Sequence, residues 1–274
     1  YQSGLTTFII YAFTLISGYI FYYIKYERGR YQKYTSFIYN KAKRLLVPYV
    51  FSLVVWVVPV HAFYFGTDDL VKNYLLGASP SQLWFLLMLF WVFAIFWLIS
   101  DMICEKPLFG GIIICALYCI GLLMPSIYCF NSGLMYLLFF YIGFLIRSFD
   151  LGNKFLYRVP SLIYLVIYIG LFIVYKFIGG FDGILFKGMF LGCGILLHIV
   201  GAIGAFVILQ RFVKRFLQGN KVIDFLGKHS MVVYLFHQQL IYFSIGRFNG
   251  VVPPIVLALI NFAFSLSISI VISV

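Results

Sequence analysis

Residues 40 to 49 read Asn-Lys-Ala-Lys-Arg-Leu-Leu-Val-Pro-Tyr, and this stretch decides how the chain is interpreted. It places Lys41, Lys43 and Arg44 directly before a long apolar segment. Cations that flank a membrane segment mark its cytoplasmic end. Cations this close together can also bind a cytoplasmic anion such as a phosphate group. The stretch therefore predicts both an orientation in the membrane and a candidate binding site.

The rest of the composition is that of a membrane protein. Of 274 residues, 64% are hydrophobic and 10% are charged, whereas soluble domains are about half apolar and a quarter charged. This length accommodates about nine spans of about 20 apolar residues each. We predict an all-α, polytopic bundle with spans at the following residues: 5–24, 46–66, 80–100, 108–126, 133–147, 160–178, 185–210, 229–246 and 251–274.

Lysine and arginine are concentrated in alternate connections between these spans. Loops 25–45 and 211–228 hold most of them, and the positive-inside rule therefore predicts that both loops are cytoplasmic. The short connections and the aromatic-rich composition favour a bacterial inner membrane. The net charge of +12 is then mainly a topology signal, so nucleic-acid binding is a poor interpretation. The lipid bilayer is the expected partner, because anionic lipids attract such loops.

The chain ends are expected to be truncated. Tyr1 is not a methionine, and Val274 lies inside an apolar run. On the predicted orientation Tyr1 is extracytoplasmic, so a cytoplasmic start requires an odd number of earlier spans, of which one is the simplest. We therefore expect a tenth helix before Tyr1 in the intact chain, and we predict that residues 1–274 form a single transmembrane domain.

Histidine is the residue type with the clearest potential for chemistry. His237 lies about eight residues into span 229–246, or about 12 Å along a helix, with Tyr234 and Gln238 beside it. An ionisable residue at membrane depth is a functional candidate, because hydrocarbon penalises it. The alternative is a buried histidine bonded to a neighbouring helix. The other histidines have weaker polar surroundings or lie near helix ends: His61, His198 and His229.

Several kinds of chemistry lack sequence support. All Asp and Glu residues fall in connections or near span ends, which counts against a proton-driven transporter and against a metal site. The five cysteines lack zinc-ligand spacing with histidine support, so we interpret them as small apolar side chains. The sequence contains no Gly-x-Ser-x-Gly nucleophile elbow. We therefore expect no metal cofactor.

Five short motifs follow one another along the chain. They are residues 15–20 (Leu-Ile-Ser-Gly-Tyr-Ile), 41–49 (Lys-Ala-Lys-Arg-Leu-Leu-Val-Pro-Tyr), 83–86 (Leu-Trp-Phe-Leu), 140–143 (Phe-Tyr-Ile-Gly) and 226–237 (Leu-Gly-Lys-His-Ser-Met-Val-Val-Tyr-Leu-Phe-His). In this order they resemble the membrane acyltransferase-3 family, which includes O-acetyltransferases of bacterial surface polysaccharides and peptidoglycan. The resemblance runs from about Ser3 to the end of the chain.

The resemblance implies a membrane O-acyltransferase. It would move an acyl group, with acetyl-CoA as the expected cytoplasmic donor, to a hydroxyl of a cell-surface or envelope glycan. Lys41 and Arg44 would bind the phosphates of the donor, although the spacing alone also fits a plain positive-inside anchor. Lys41 stands where the family has Arg, which keeps the charge and loses bidentate geometry. His237 would line the pore or hold the substrate.

Three further residues would shape the pore by the same resemblance: Ser17, Trp84 and Tyr234. Trp84 also fits an interfacial anchor, and Ser17 also fits a small residue that allows close helix packing beside Gly18. The family's first helix, which carries an Arg and the presumed catalytic His, would precede Tyr1. The 274 residues alone would therefore lack the main general base and are expected to be inactive.

Three other functions remain as alternatives. The first is a polysaccharide exporter or flippase without acyl transfer, since a helix bundle with a wet pore fits both activities. The second is a glycan polymerase or ligase, which the short outer connection from Thr67 to Ser79 disfavours. The third is a membrane protein with a structural role only. Transfer of a labelled acyl group distinguishes the first alternative from the acyltransferase, because an exporter moves glycan without labelling it.

Overall fold

α-Helices build nearly all of the chain in the computed structural model. The structure describes residues 8–66, 68, 74, 81–181, 183–217, 219–248 and 250–273, and none of these lies in a β-strand. Most of the predicted outer connection 67–79 lies outside these residues, and so does the side chain of Gln238.

Ten α-helices and four π-helical turns account for this part of the chain. The α-helices are α1 Phe8–Tyr22, α2 Tyr34–Ser52, α3 Val58–Phe65, α4 Trp84–Glu105, α5 Pro107–Leu123, α6 Phe130–Ser148, α7 Ser161–Ile178, α8 Ile184–Phe212, α9 Lys221–Phe248 and α10 Pro254–Ser273. The π-helical turns are Tyr23–Glu27 after α1, Leu53–Val57 between α2 and α3, Gly152–Leu156 after α6 and Val213–Leu217 after α8.

Helix length and exposed apolar surface identify a multi-pass membrane protein. Six helical stretches among the described residues are long and apolar enough to cross a membrane, and two shorter apolar helices accompany them. Large apolar side chains remain on the surface, such as Leu108 at 87% and Ile184 at 92% exposure. Exposed apolar area on this scale is unfavourable in water and suits contact with lipid tails. The all-α membrane fold is confirmed, whereas the number of nine spans stays a prediction.

Two helices begin earlier than the hydropathy pattern placed them. Helix α2 begins at Tyr34 instead of residue 46, and α9 begins at Lys221 instead of residue 229. Hydropathy marks where a helix can enter lipid, and a polar helical turn can precede that point. Pro48 consequently lies in the interior of α2 and not in its first turn. Its missing N–H removes the helical hydrogen bond to the carbonyl of Arg44.

The first of two compact units consists of Tyr1–Phe37, Ala94–Leu123 and Leu134–Gln218. Within it, α8 packs against both α1 and α7. A group of phenylalanine rings forms its core, with centroid distances of 4.7 Å between Phe96 and Phe140 and 5.7 Å between Phe21 and Phe96.

Glycines bring α1 and α6 into direct backbone contact in this unit. A Cβ atom on Gly18 would lie 2.8 Å from the carbonyl carbon of Phe140, and one on Gly143 would lie 2.7 Å from the carbonyl carbon of Leu15. The contact is reciprocal, because each glycine faces the backbone one turn before the other glycine. Two of the five sequence motifs, 15–20 and 140–143, therefore pack against each other.

A buried lysine anchors the end of α1 to α4 in the same unit. The Lys25 ammonium donates to Ser100 Oγ at 2.7 Å and to Asp101 Oδ1 at 2.8 Å, and it lies 4.4 Å from the Trp97 ring centroid. Tyr26 donates to the same Asp101 oxygen at 2.5 Å. Lys25 is only 3% exposed. The sequence placed Lys25 among solvent-facing topology cations, but its ion pair with Asp101 allows it to be buried.

We expect Asp101→Ala to destabilise the protein more than Glu105→Ala. Removing Asp101 leaves a buried ammonium without its counter-ion, whereas Glu105 is an exposed carboxylate one turn further along α4. The cost should be roughly 1–3 kcal/mol, below that of breaking a fully buried pair, because Asp101 is itself well exposed. Thermal unfolding in detergent measures the difference, and equal melting temperatures for the two variants would contradict this account.

The second unit consists of Ile38–Phe93, Met124–Gly133 and Gly219–Val274. Helix α9 packs against α10 and also touches the π-helical turn Leu53–Val57 and the 3₁₀ turn Ser81–Leu83. Trp91 Nε1 donates to the carbonyl of Tyr128 at 3.0 Å and ties the start of α4 to the segment before α6. Five of the six candidate site residues lie in this unit.

Candidate functional site

The closing motif on α9 is joined to the segment that precedes Trp84. The Tyr234 hydroxyl donates to the carbonyl of Gln82, and Gln82 Nε2 donates to the carbonyl of Leu235 at 3.1 Å. The rings of Phe85 and Tyr234 also meet, with centroids 6.0 Å apart. These two hydrogen bonds fix the height of α9 relative to the 3₁₀ turn and so position the residues that follow Tyr234.

The tautomer of His237 follows from its hydrogen bonds. Its Nδ1 lies 2.7 Å from the carbonyl of Tyr234 and 3.1 Å from that of Val233. Carbonyl oxygens only accept, so Nδ1 carries a proton, and the lone pair of the uncharged ring would then be on Nε2. The half-buried His237 therefore presents Nε2 as the atom that a general base would use, with its ring held by hydrogen bonds within its own helix.

Lys41 and Arg44 lie on α2, within a regular helix. Their spacing of three residues places them on adjacent positions of one face, as the sequence predicted for a helix that extends back to them. Arg44 is exposed, whereas Lys41 is half-buried with its Nζ 3.6 Å from the ring centroid of Phe93. Arg44 is therefore the more accessible of the two cations, and the aromatic ring positions the other.

Helix α2 and the π-helical turn that follows it run from Lys41 and Arg44 to the part of α9 that carries His237. The Trp56 ring packs on that of Phe236, the residue before His237, with centroids 5.4 Å apart. Twelve residues separate Arg44 from Trp56, which corresponds to about 18 Å of helix. The cations and the histidine are thus far apart along the helix axis, as a site for a long substrate requires.

The remaining pore candidates have different surroundings. The Trp84 ring contacts that of Phe85 at a centroid distance of 6.3 Å, which places it beside the partner of Tyr234. Ser17 lies in the first unit, where its Oγ donates to the carbonyl of Phe13 at 2.9 Å. That bond is internal to α1, and the neighbouring Gly18 makes the close approach to α6, as a small-residue packing role requires.

Cysteine chemistry has no support at this site. Cys129 is buried in the second unit, and burial raises the pKa of its thiol to about 11. A thiol that stays protonated is a poor nucleophile, so Cys129 is unsuited to carry an acyl group. Among the described residues, no three His, Cys, Asp or Glu side chains converge as metal ligands do.

The other histidines have aromatic neighbours. His198 stacks near Tyr11 in the first unit at a centroid distance of 4.2 Å, and Tyr11 in turn stacks on Tyr136 at 4.8 Å. His198 thus has more polar company than the sequence indicated, because a tyrosine of α1 lies against its ring. In the second unit, His61 Nδ1 lies 2.9 Å from the Tyr74 hydroxyl.

Comparison with protein families identifies the chain. The acyltransferase-3 family model, described as an acyltransferase domain, matches residues 1–274. The chain belongs to the acyltransferase-3 family. No curated protein and no solved structure matches it. The family assignment makes this membrane protein an acyltransferase and confirms the resemblance inferred from the five motifs.

Two residues that support this acyltransferase's candidate site were missed in the sequence. Gln82 lay at the start of the predicted span 80–100 and was given no role, although a polar side chain directly before the Leu-Trp-Phe-Leu motif was a signal that it bonds to another helix. Phe93 gave no signal, because one more phenylalanine in an apolar helix does not indicate a cation above it. Both contacts depend on which helices become neighbours.

Proposed function

We propose that this acyltransferase moves an acyl group, acetyl in the first instance, from a cytoplasmic acyl-CoA to a hydroxyl of an envelope glycan. The proposal rests on family membership together with one observation in the second unit. The helical segment that carries the cationic face of α2 meets α9 beside His237, through the Trp56–Phe236 contact. Cations suit the phosphates of coenzyme A, and a neutral imidazole suits the removal of a hydroxyl proton.

The donor would bind with its phosphates at Arg44 and Lys41. Arg44 offers a planar fork of donors to a phosphate group, and Lys41 adds a second positive charge from the adjacent helical position. The pantetheine arm of coenzyme A is long and thin, so it would bring the thioester along α2 towards the level of His237. These fixed positive charges would attract the polyanionic donor to the predicted cytoplasmic membrane surface.

The role that we propose for His237 is general-base catalysis, which the family resemblance assigned mainly to a histidine outside residues 1–274. Nε2 accepts the proton of the acceptor hydroxyl as its oxygen attacks the thioester carbonyl carbon, and a C–O bond forms. The C–S bond then breaks, and the leaving thiolate takes the proton back from the imidazolium. The hydrogen bonds of Nδ1 to Tyr234 and Val233 hold the ring in the required tautomer through both steps.

We expect His237→Ala to lower acyl transfer at least about tenfold, because general-base catalysis contributes that much or more. The assay uses membranes that contain the full-length protein, radiolabelled acetyl-CoA and envelope polysaccharide, and it measures label in the polysaccharide. His229→Ala is the matched control on the same helix and should change the rate less than about twofold. A normal rate of transfer by His237→Ala would show that this histidine has only a packing role. Export of glycan without labelling would favour the alternative function, a polysaccharide exporter.

A further inference from the structure

A polar stripe on α10 faces into the protein. Asn261, Ser265 and Ser269 recur every four residues and so share one face of the helix. Ser265 is 6% exposed and Ser269 is fully buried, whereas Leu259 and Val271 on the other side are 64% and 76% exposed. The helix therefore directs its apolar side outward and its polar stripe towards α9, its packing partner.

A cavity lies between α9 and α10 on this stripe. Its volume is about 400 Å³, within the range of small-molecule sites. His237, Val233 and Ile241 line it from α9, and Ala258, Asn261, Ser265 and two larger apolar side chains line it from α10. The ring of His237 therefore shares one cavity with an amide and a hydroxyl from the neighbouring helix.

The lining indicates the chemical class of the occupant. None of the described residues that line the cavity carries a fixed charge, so a phosphate or a carboxylate would find no counter-ion there. The imidazole, amide and hydroxyl groups together offer both donors and acceptors of neutral hydrogen bonds. The other described lining residues are apolar, so the cavity combines apolar walls with a few directed hydrogen bonds, a combination that suits a sugar ring with its apolar C–H faces and its hydroxyl groups.

We infer that this cavity is the acceptor subsite of the proposed acyltransferase and binds the hydroxylated ring of a sugar. Asn261 and Ser265 hold ring hydroxyls, and one further hydroxyl is directed at Nε2 of His237. The inference rests on the proposed function and adds to it a place for the acceptor, in a cavity that neither Lys41 nor Arg44 lines. Asn261 and Ser265 act as binding residues, and the bond changes at the thioester remain those described for His237.

The test compares Asn261→Ala and Ser265→Ala with Ser267→Ala, an exposed serine on the same helix. The full-length protein is assayed with radiolabelled acetyl-CoA and a panel of methyl pyranosides. Loss of one hydrogen bond to the acceptor should raise its KM about tenfold for Asn261→Ala and at least about threefold for Ser265→Ala. The KM for acetyl-CoA should stay within about twofold for all three variants, and Ser265→Thr, which keeps the hydroxyl, should restore the acceptor KM.

Two further results separate this inference from the proposed function. If the unmodified protein labels a pyranoside and both cavity variants keep its acceptor KM, the subsite is wrong while the acyltransferase function stands. If the unmodified protein labels no hydroxyl acceptor, including envelope polysaccharide, the function fails and the subsite fails with it. If Asn261→Ala does not accumulate, Ala258→Phe, which would fill the cavity, provides the test. Unchanged use of the acceptor by this variant would overturn the inference. Loss of acceptor use with normal acetyl-CoA binding would support it.

Discussion

Gly143→Ala is expected to prevent the accumulation of folded protein in the membrane. A Cβ atom at this position would overlap the backbone carbonyl of Leu15, which belongs to another helix. Backbone atoms cannot move aside as the end of a flexible side chain can. Relief of the overlap therefore requires α1 and α6 to separate along their contact.

The reciprocal position makes this effect large. Gly18 approaches the carbonyl of Phe140 in the same way, so any separation of α1 and α6 disturbs two contacts at once. Small residues at such crossings supply the van der Waals contact that holds membrane helices together. The cost should exceed the roughly 1–3 kcal/mol of ordinary overpacking. Gly18→Ala should have a comparable effect, and combining the two substitutions should not restore folding.

Two other helical glycines provide matched controls in the same unit. Gly170 on α7 and Gly192 on α8 have no atom within 4 Å of an added Cβ. Alanine at either position should be neutral or stabilise the helix by up to about 1 kcal/mol. Folded yield by size-exclusion chromatography and the melting temperature measure all four variants. Normal yield and melting temperature for Gly143→Ala would contradict the close contact between α1 and α6.

Arg44→Ala is expected to abolish acyl transfer to glycan while leaving the amount of protein in the membrane unchanged. Arg44 is exposed on α2, so its removal leaves no cavity and no buried partner. Lys41 would remain as the second cation of this face, but its ammonium lies over Phe93 and lacks a bidentate fork. Donor binding should therefore fail at ordinary acetyl-CoA concentrations. Labelled transfer and an immunoblot of the same membranes give the two readings.

Lys43→Ala is the control for this prediction. Lys43 is an equally exposed cation one residue earlier on α2, but it points away from the face of Lys41 and Arg44. It should lower transfer less than about twofold, because a single exposed charge is screened by salt. Arg44→Lys should retain transfer with a raised KM for acetyl-CoA. Full activity of Arg44→Ala would show that the donor does not bind at this face of α2. Equal losses of activity in Arg44→Ala and Lys43→Ala would show that only the total surface charge matters.

Much of the candidate site could be predicted from the sequence because membrane composition leaves few polar residues to consider. His237 and Tyr234 were identifiable as polar residues in an apolar run, and Lys41 and Arg44 as cations next to one. Gln82 showed only its polarity and Phe93 showed no signal, since both act through contacts with residues far away in the chain. Asn261 and Ser265 showed helical spacing in an apolar segment, but spacing alone does not say whether a polar stripe faces a partner helix.

The sequence by itself determined the all-α membrane fold, the family and the side of each helix that carries polar groups. These follow from composition, from the five motifs and from periodicity, all of which are local properties of the chain. The tertiary structure alone decided the burial of Lys25 against Asp101, the reciprocal contact of Gly18 and Gly143, and the cavity beside His237. Each of these depends on which helices become neighbours and how closely their backbones approach, and packing settles that only when the whole chain has folded.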